Sequence, residues 1–225
     1  MRSPPAWLVY AEQLVDRGHG LPLWHPEPRS GPHGDIQIGD VGYVSEGRFI
    51  RFFNAMHSAK CGVNKGGVPK DFAMLTMPED IDAHNFMSEP YHQFPGAICA
   101  STTVVKNVGA GISDGAQFFN TSLHFSCNDN RGAVAILGDF GHQEWYLSNI
   151  QFRDYVKKYH SSWYDFALTK GYPYSPSAIV LVSGWLKTTQ WAAAAVSSSG
   201  KALDFSLSAS AGSYVSANVQ ASTSK

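Results

Sequence analysis

Residues 111–115 read GISDG, a match to the nucleophile-elbow string G-x-S-x-G with Ser113 as the attacking hydroxyl. That chemistry is acyl transfer, and it needs a strand before the serine and a helix after it, so that amides at the helix start hold the oxyanion. Beyond Ser113, residues 116–126 read AQFFNTSLHFS and alternate like a strand. The segment therefore reads as a glycine-rich turn, and the overlapping GAGISDG spaces its glycines wrongly for a dinucleotide site. His57, Cys61, Asp80, Asp82, His84 and His92 form a second group of reactive types, all able to ligate a metal. Zinc sites usually draw ligands in tight sequence pairs, because two ligands from one turn lower the ordering cost. His57 with Cys61 is one loose pair, and no second accompanies it. P-loop, C-x-x-C and H-E-x-x-H strings are absent, and the carboxylates of PED and DID fall in a stretch without period. The expectation is no catalytic residue, no metal and no cofactor.

The longest regular pattern lies over residues 203–222, LDFSLSASAGSYVSANVQAS. Its odd positions are apolar except Ser213, with Leu203, Phe205, Leu207, Val215, Ala217 and Val219 the strongest, while serine dominates the even ones. Period two marks strands with one apolar face, and the run exceeds the roughly 5–6 residues of an ordinary strand. Between residues 171 and 224 the only charges are Lys187, Lys201 and Asp204. A second small-residue β region spans 99–137, where Leu123, Phe125 and Cys127 alternate with Ser122, His124 and Ser126. The turn residues 128–130 then predict a hairpin into a strand over 133–137.

Between the two β regions, 149–170 has the period of an amphipathic helix, with Ile150, Phe152, Tyr155, Val156, Tyr159, Trp163, Phe166 and Ala167 as its stripe. Ser148 with Gln151 matches a capping box, and Gly171 is a natural stop. Arg153, Lys157 and Lys158 lie off the stripe, as a solvated face or a lipid-facing basic surface. At the start, Trp7, Leu8, Ala11, Leu14 and Val15 predict a short helix within residues 1–20, ending at Gly18. Residues 35–56 predict a strand and a hairpin punctuated by Gly39-Asp40 and Glu46-Gly47, residues 55–97 a loop-rich insertion, and 179–182 a buried strand. The fold class expected is α+β: a twisted, largely antiparallel sheet with a packed amphipathic helix, in one domain over 1–225, its β regions 99–137 and 178–222 flanking helix 149–170.

A chain of 225 residues with 44% apolar and 16% charged residues has the composition of a folded protein. Its net charge of −1 gives no global pull toward nucleic acid, and no nucleic-acid partner is expected. The first twenty residues are interrupted by Glu12, Gln13, Asp16 and Arg17 and lack a signal-peptide core. Three cysteines, an odd number without framework spacing, read as reduced thiols with no disulfide. The expected location is cytoplasmic, with membrane association on activation.

The segments LPLWHPEP, GDVGYVSEGRFIRFFNAM and SGWLKTTQWAAAAV together resemble an uncharacterised family of intracellular proteins from mushroom-forming (basidiomycete) fungi, over about residues 21–196. That resemblance implies an intracellular protein and brings no activity or site residues with it. By arrangement alone, two low-charge alternating regions flanking a helix resemble the pore-forming domains of gasdermins. This second resemblance implies membrane insertion. ALDFSLSAS and SYVSANVQAS each approach the roughly 9–11 residues of a tilted spanning strand, with AGS as the turn of a hairpin and the odd positions from Leu203 to Val219 as the insertion face. Such a pore would be an oligomer on membrane lipid. The alternative is a soluble partner- or ligand-binding module, its alternating strands covered by a helix such as 149–170 and its contacts made by Trp24, Trp145, Trp185 and Trp191. A hydrolase built on Ser113 or on the histidine-rich loop stands third.

Overall fold

The computed structural model describes residues 3–27, 34–79, 84–91, 96–108, 122–127, 130–137, 141–147, 150–172, 175–199, 202–209 and 217–221. In chain order these form α1 (Ala6–Leu14), β1 (Asp40–Ser45), β2 (Arg48–Asn54), β3 (Phe86–Tyr91), β4 (Gly96–Cys99), β5 (Thr103–Val108), β6 (Ser122–Cys127), β7 (Arg131–Leu137), β8 (Gly141–Tyr146), α2 (Ile150–Thr169), β9 (Val180–Leu181), β10 (Gly184–Lys187), β11 (Trp191–Ser199), β12 (Ala202–Ala209) and β13 (Ala217–Ala221). The fold is α+β. Its strands make four small sheets, ordered β2-β1-β9, β10-β8-β3, β12-β11-β7-β4 and β13-β6-β5. The ladders are antiparallel except for β13 on β6, which is parallel. The chain divides into two compact units, residues 1–25, 90–142 and 186–225 forming the first and residues 26–89 and 143–185 the second.

The second unit starts from a tight hairpin. Ser45 pairs with Arg48, so Glu46 and Gly47 alone make the turn, both at positive φ (49° and 78°). That is the turn whose twist matches the strands it joins. A bulge between Val41 and Gly42 shifts the register, and Gly42 is obligatory there because a Cβ would sit 2.1 Å from the Ile50 carbonyl oxygen. Helix α2 lies on this hairpin. Phe152, Tyr155, Trp163 and Ala167 are buried, Trp163 meeting Phe53 edge-on at 6.1 Å and Tyr155 at 5.7 Å. Ile150, expected on the stripe, is 51% exposed, while Phe152 in the same turn is buried in the core. Gly171 takes φ 80°, the left-handed stop anticipated from sequence. Ser148 lies outside the described residues.

In the first unit, α1 ends through a short 3-10 turn at Gly18, φ 83°. It buries Val9, Tyr10 and Leu14 against Trp24, Ala133, Trp191, Ala193 and Ala195. Alanine on β7 and β11 lets the helix lie close to the sheet, because Ala133, Ala193 and Ala195 each present only a methyl to it. Odd positions of β11 face α1; the even ones, Ala192, Ala194 and Val196, are buried on the opposite face. There Gly132 of β7 meets the second sheet of the unit. A Cβ at that position would come within 2.5 Å of Cys127 Sγ and 2.6 Å of Thr103 Oγ1. The hairpin predicted across 128–130 is not formed: β6 and β7 belong to different sheets, and the chain steps from one to the other. Nor is the region around 55–97 only loop, since it supplies β3 and part of β4. Cys61, Cys99 and Cys127 form no disulfide.

Two substitutions test this packing. Trp163→Ala empties the centre of the aromatic core and should cost ~3–5 kcal/mol in urea unfolding; a loss under ~1 kcal/mol would remove Trp163 from that role. Gly132→Ala should destabilise by ~1–3 kcal/mol through overpacking, and Cys127→Ala in the same chain should recover part of the loss by clearing the nearest obstacle. Additive losses in the double variant would show that Cys127 is not the obstacle.

Candidate functional site

The described residues offer two places where chemistry-bearing groups converge. In the second unit, Asp40 is fully buried at the end of β1. Its Oδ2 accepts from Arg51 Nη2 at 2.6 Å and from the Gln37 N–H at 2.8 Å, while Oδ1 accepts from Asn54 Nδ2 at 2.8 Å. Arg51 also donates to the Asp35 carbonyl. Asn54 passes the network on: its N–H donates to Asn64 Oδ1 at 2.7 Å, and its Oδ1 accepts the Met56 N–H at 2.8 Å. Asn64 Nδ2 reaches the carbonyls of Asn54, His57 and Ser58 at 3.0, 3.1 and 3.0 Å. Burial pushes the Asp40 carboxyl above its ordinary value, opposed by the Arg51 guanidinium and by the Gln37 and Asn54 donors. By linkage this group favours the fold most below its ordinary value of 3.8 and less as pH rises through the raised one. Mild acidification is therefore no trigger for opening it. Both carboxylate oxygens are committed to donors from their own unit, so the arrangement is a clasp on loop 55–65 and holds no reacting group toward a substrate.

The second place is the small-residue sheet of the first unit. β11 and β12 pair over eight positions, from Ala192 opposite Ala209 to Ser199 opposite Ala202, and Asp204 is the one charged residue in either strand. By register, positions 203, 205 and 207 stand opposite Ser198, Val196 and Ala194, on the face away from α1. Positions 204, 206 and 208 stand opposite Ser197, Ala195 and Ala193, on the α1 face. Leu203, Phe205 and Leu207 thus share a face with Val196, whereas the serine positions fall on the face that α1 covers in β11. Strand β12 ends its sheet.

The expected hairpin between the two halves of residues 203–221 is corrected by this pairing. The first half pairs with β11, and Ala217 and Val219 lie in β13, parallel to β6 in another sheet. Val215 lies outside the described residues. The covering helix is corrected as well: it is α1, since the α2 stripe packs on β1 and β2. Trp24 and Trp191, expected as partner contacts, are buried core residues, Trp24 edge-on to Tyr10 at 5.3 Å. Trp145 and Trp185 are half-buried on β8 and β10. The basic face of α2 is exposed but locally balanced: Asp154 lies 3.8 Å from Arg153 Nε and 3.9 Å from Lys157 Nζ, and Lys158 rests over the Tyr159 ring.

Ser113, Asp80, Asp82 and His92 lie outside the described residues. Among those described, no three His, Cys, Asp or Glu side chains group to hold a metal ion, and no helix is long and apolar enough to cross a membrane. No protein-family model, curated protein or solved structure matches this chain.

Removing one partner of a buried ion pair strands the other charge, so Asp40→Ala should cost ~3–5 kcal/mol. The double variant Asp40→Leu with Arg51→Met should recover most of that loss in thermal unfolding. A double variant no more stable than Asp40→Ala would mean the cost lies in loop 55–65 rather than in the stranded guanidinium.

Proposed function

We propose that the first unit is a non-catalytic, membrane-inserting module of the gasdermin-like kind, with the β11–β12 hairpin as its inserting element. The observation that carries this is the hairpin itself: eight antiparallel pairs with one charged residue, placed at the edge of a sheet. A tilted barrel strand spans the hydrocarbon layer in about 9–11 residues, and β11 has nine. The two faces divide as a barrel wall requires. Ala194, Val196, Leu203, Phe205 and Leu207 supply the lipid side, and Ser197, Ser206 and Ser208 the lumen, while strand pairing satisfies the backbone.

On the strand side of the α1 contact each alanine buries little more than one methyl, on the order of 0.8 kcal/mol, so the cost of lifting α1 lies mainly in exposing Val9, Tyr10, Leu14 and Trp191. The larger obstacle is the seven-pair ladder of β11 on β7, from Trp191 opposite Leu137 to Ser197 opposite Arg131. A pore then needs several copies, because one hairpin leaves strand edges open in lipid.

The test is dye release from liposomes with the full chain, parent and locked. Ala135 and Ala193 are directly opposed on β7 and β11, so Ala135→Cys with Ala193→Cys ties the hairpin to its sheet when oxidised. The parent should release dye; the locked form should be silent and regain release on reduction. Leakage from the oxidised form equal to the parent, or none from the parent on any lipid mixture, would sink the proposal and favour a soluble binding module.

A further inference from the structure

We infer that loop 57–70 of the second unit is a preformed basic platform for an anionic lipid surface, a role that rests on the membrane reading above. The loop reads HSAKCGVNKGGVPK and carries Lys60, Lys65 and Lys70 with no acidic residue. All three lysines are exposed, and none is held in an ion pair among the described residues. The carboxylate next in sequence is Asp71, which is exposed.

The backbone that presents these lysines is fixed. Asn64 is 1% exposed and binds the carbonyls of His57 and Ser58, while the Cys61, Asn64, Lys65 and Gly67 N–H groups close successive turns on Ser58, Cys61, Gly62 and Asn64. From α2, Lys170 Nζ donates to the Gly66 carbonyl at 2.7 Å, and Phe166 lies 3.8 Å from where a Gly67 Cβ would stand. Gly67 takes φ 94°, which a side chain would strain. An ordered loop loses little entropy on binding, so the charge it carries is available at full effect.

Lysine ammonium groups suit phosphate as point charges and lack the forked geometry used to read bases. The loop carries no aromatic side chain on which a base could stack, His57 at its edge apart. Both facts favour a diffuse anionic surface over a nucleic acid. The basic residues of α2 are the weaker candidate because Asp154 sits among them.

The experiment is co-sedimentation of the full chain with vesicles of phosphatidylcholine alone or mixed with phosphatidylserine. Each lysine near an anionic membrane is worth about fivefold in partitioning, so Lys60→Gln, Lys65→Gln and Lys70→Gln together should weaken binding to the mixed vesicles by about a hundredfold. Arg153→Gln, Lys157→Gln and Lys158→Gln together should weaken it less than tenfold, and added salt should narrow the gap. Equal binding by the loop variant and the parent, equal losses in the two triple variants, or no preference of the parent for phosphatidylserine would each overturn the inference. So would an unchanged vesicle affinity accompanied by lost binding to RNA, which would assign the surface to a nucleic acid. Binding is read separately from leakage: a chain that binds through the loop without releasing dye defeats the pore reading alone, and one that releases dye equally with and without the loop lysines defeats this inference alone.

Discussion

The close approach of α1 to the β7–β11 sheet, possible only because alanine lines both strands, is the constraint on which the first unit depends. Ala133, Ala193 and Ala195 are buried beneath Val9, Tyr10 and Leu14, and larger side chains there would hold the helix off. The same alanines make the contact weak per residue, since burial energy follows apolar area. Under the membrane-inserting proposal a leucine-rich strand would give a firmer lid and a better lipid face together, at the expense of release. The larger apolar residues Val196, Leu203, Phe205 and Leu207 stand instead at positions one register step from the alanines under the helix.

The second unit is built on the opposite choice. Its core is aromatic, with Phe53 in contact with Phe72, Trp163 and Phe166 at centroid distances of 5.8, 6.1 and 6.0 Å. Such rings bury large areas and lock into edge-to-face geometry. Tyr155 adds a directed bond from its hydroxyl to the Ala73 carbonyl at 2.6 Å. Around this core the Asp40 carboxylate and the two asparagines fasten the loop that carries the lysines. On the proposed function a rigid carrier and a releasable hairpin are different physical demands, which the different side-chain chemistry of the two units would meet.

Much of this was legible in the residues. Apolar spacing located both helices and their glycine stops, and the Glu46-Gly47 turn located the first hairpin, because these are local signals. The pairing of distant strands was not legible. Residues 203–221 alternate over most of their length, yet their halves serve two sheets, since period two reports that a segment is extended and says nothing of its neighbour. The clasp was missed for a related reason. Counting outward from Glu46-Gly47 sets Asp40 opposite Phe53, and only the bulge at Val41/Gly42 brings it opposite Asn54. Trp24 and Trp191 went to the core because an amphipathic ring is as useful beneath a helix as on a surface, and sequence does not separate the two uses.

The discontinuity of the units bears on how the hairpin could be controlled. The first unit is assembled from three stretches of chain, and the second is inserted between them in two. Residues 26–89 and 143–185 run between the three stretches of the first unit, so each folded portion of the second unit closes a long loop of the first. Ordering such a loop lowers the entropy lost when the strands it joins come together. The aromatic core of the second unit thereby stabilises the alanine sheet of the first through the continuity of the chain. A modification or ligand that loosened the second unit would weaken the closed sheet by the same route. Under the membrane-inserting proposal, control need not operate at the hairpin alone, because the stability of the unit to which its chain is joined would bear on release as well.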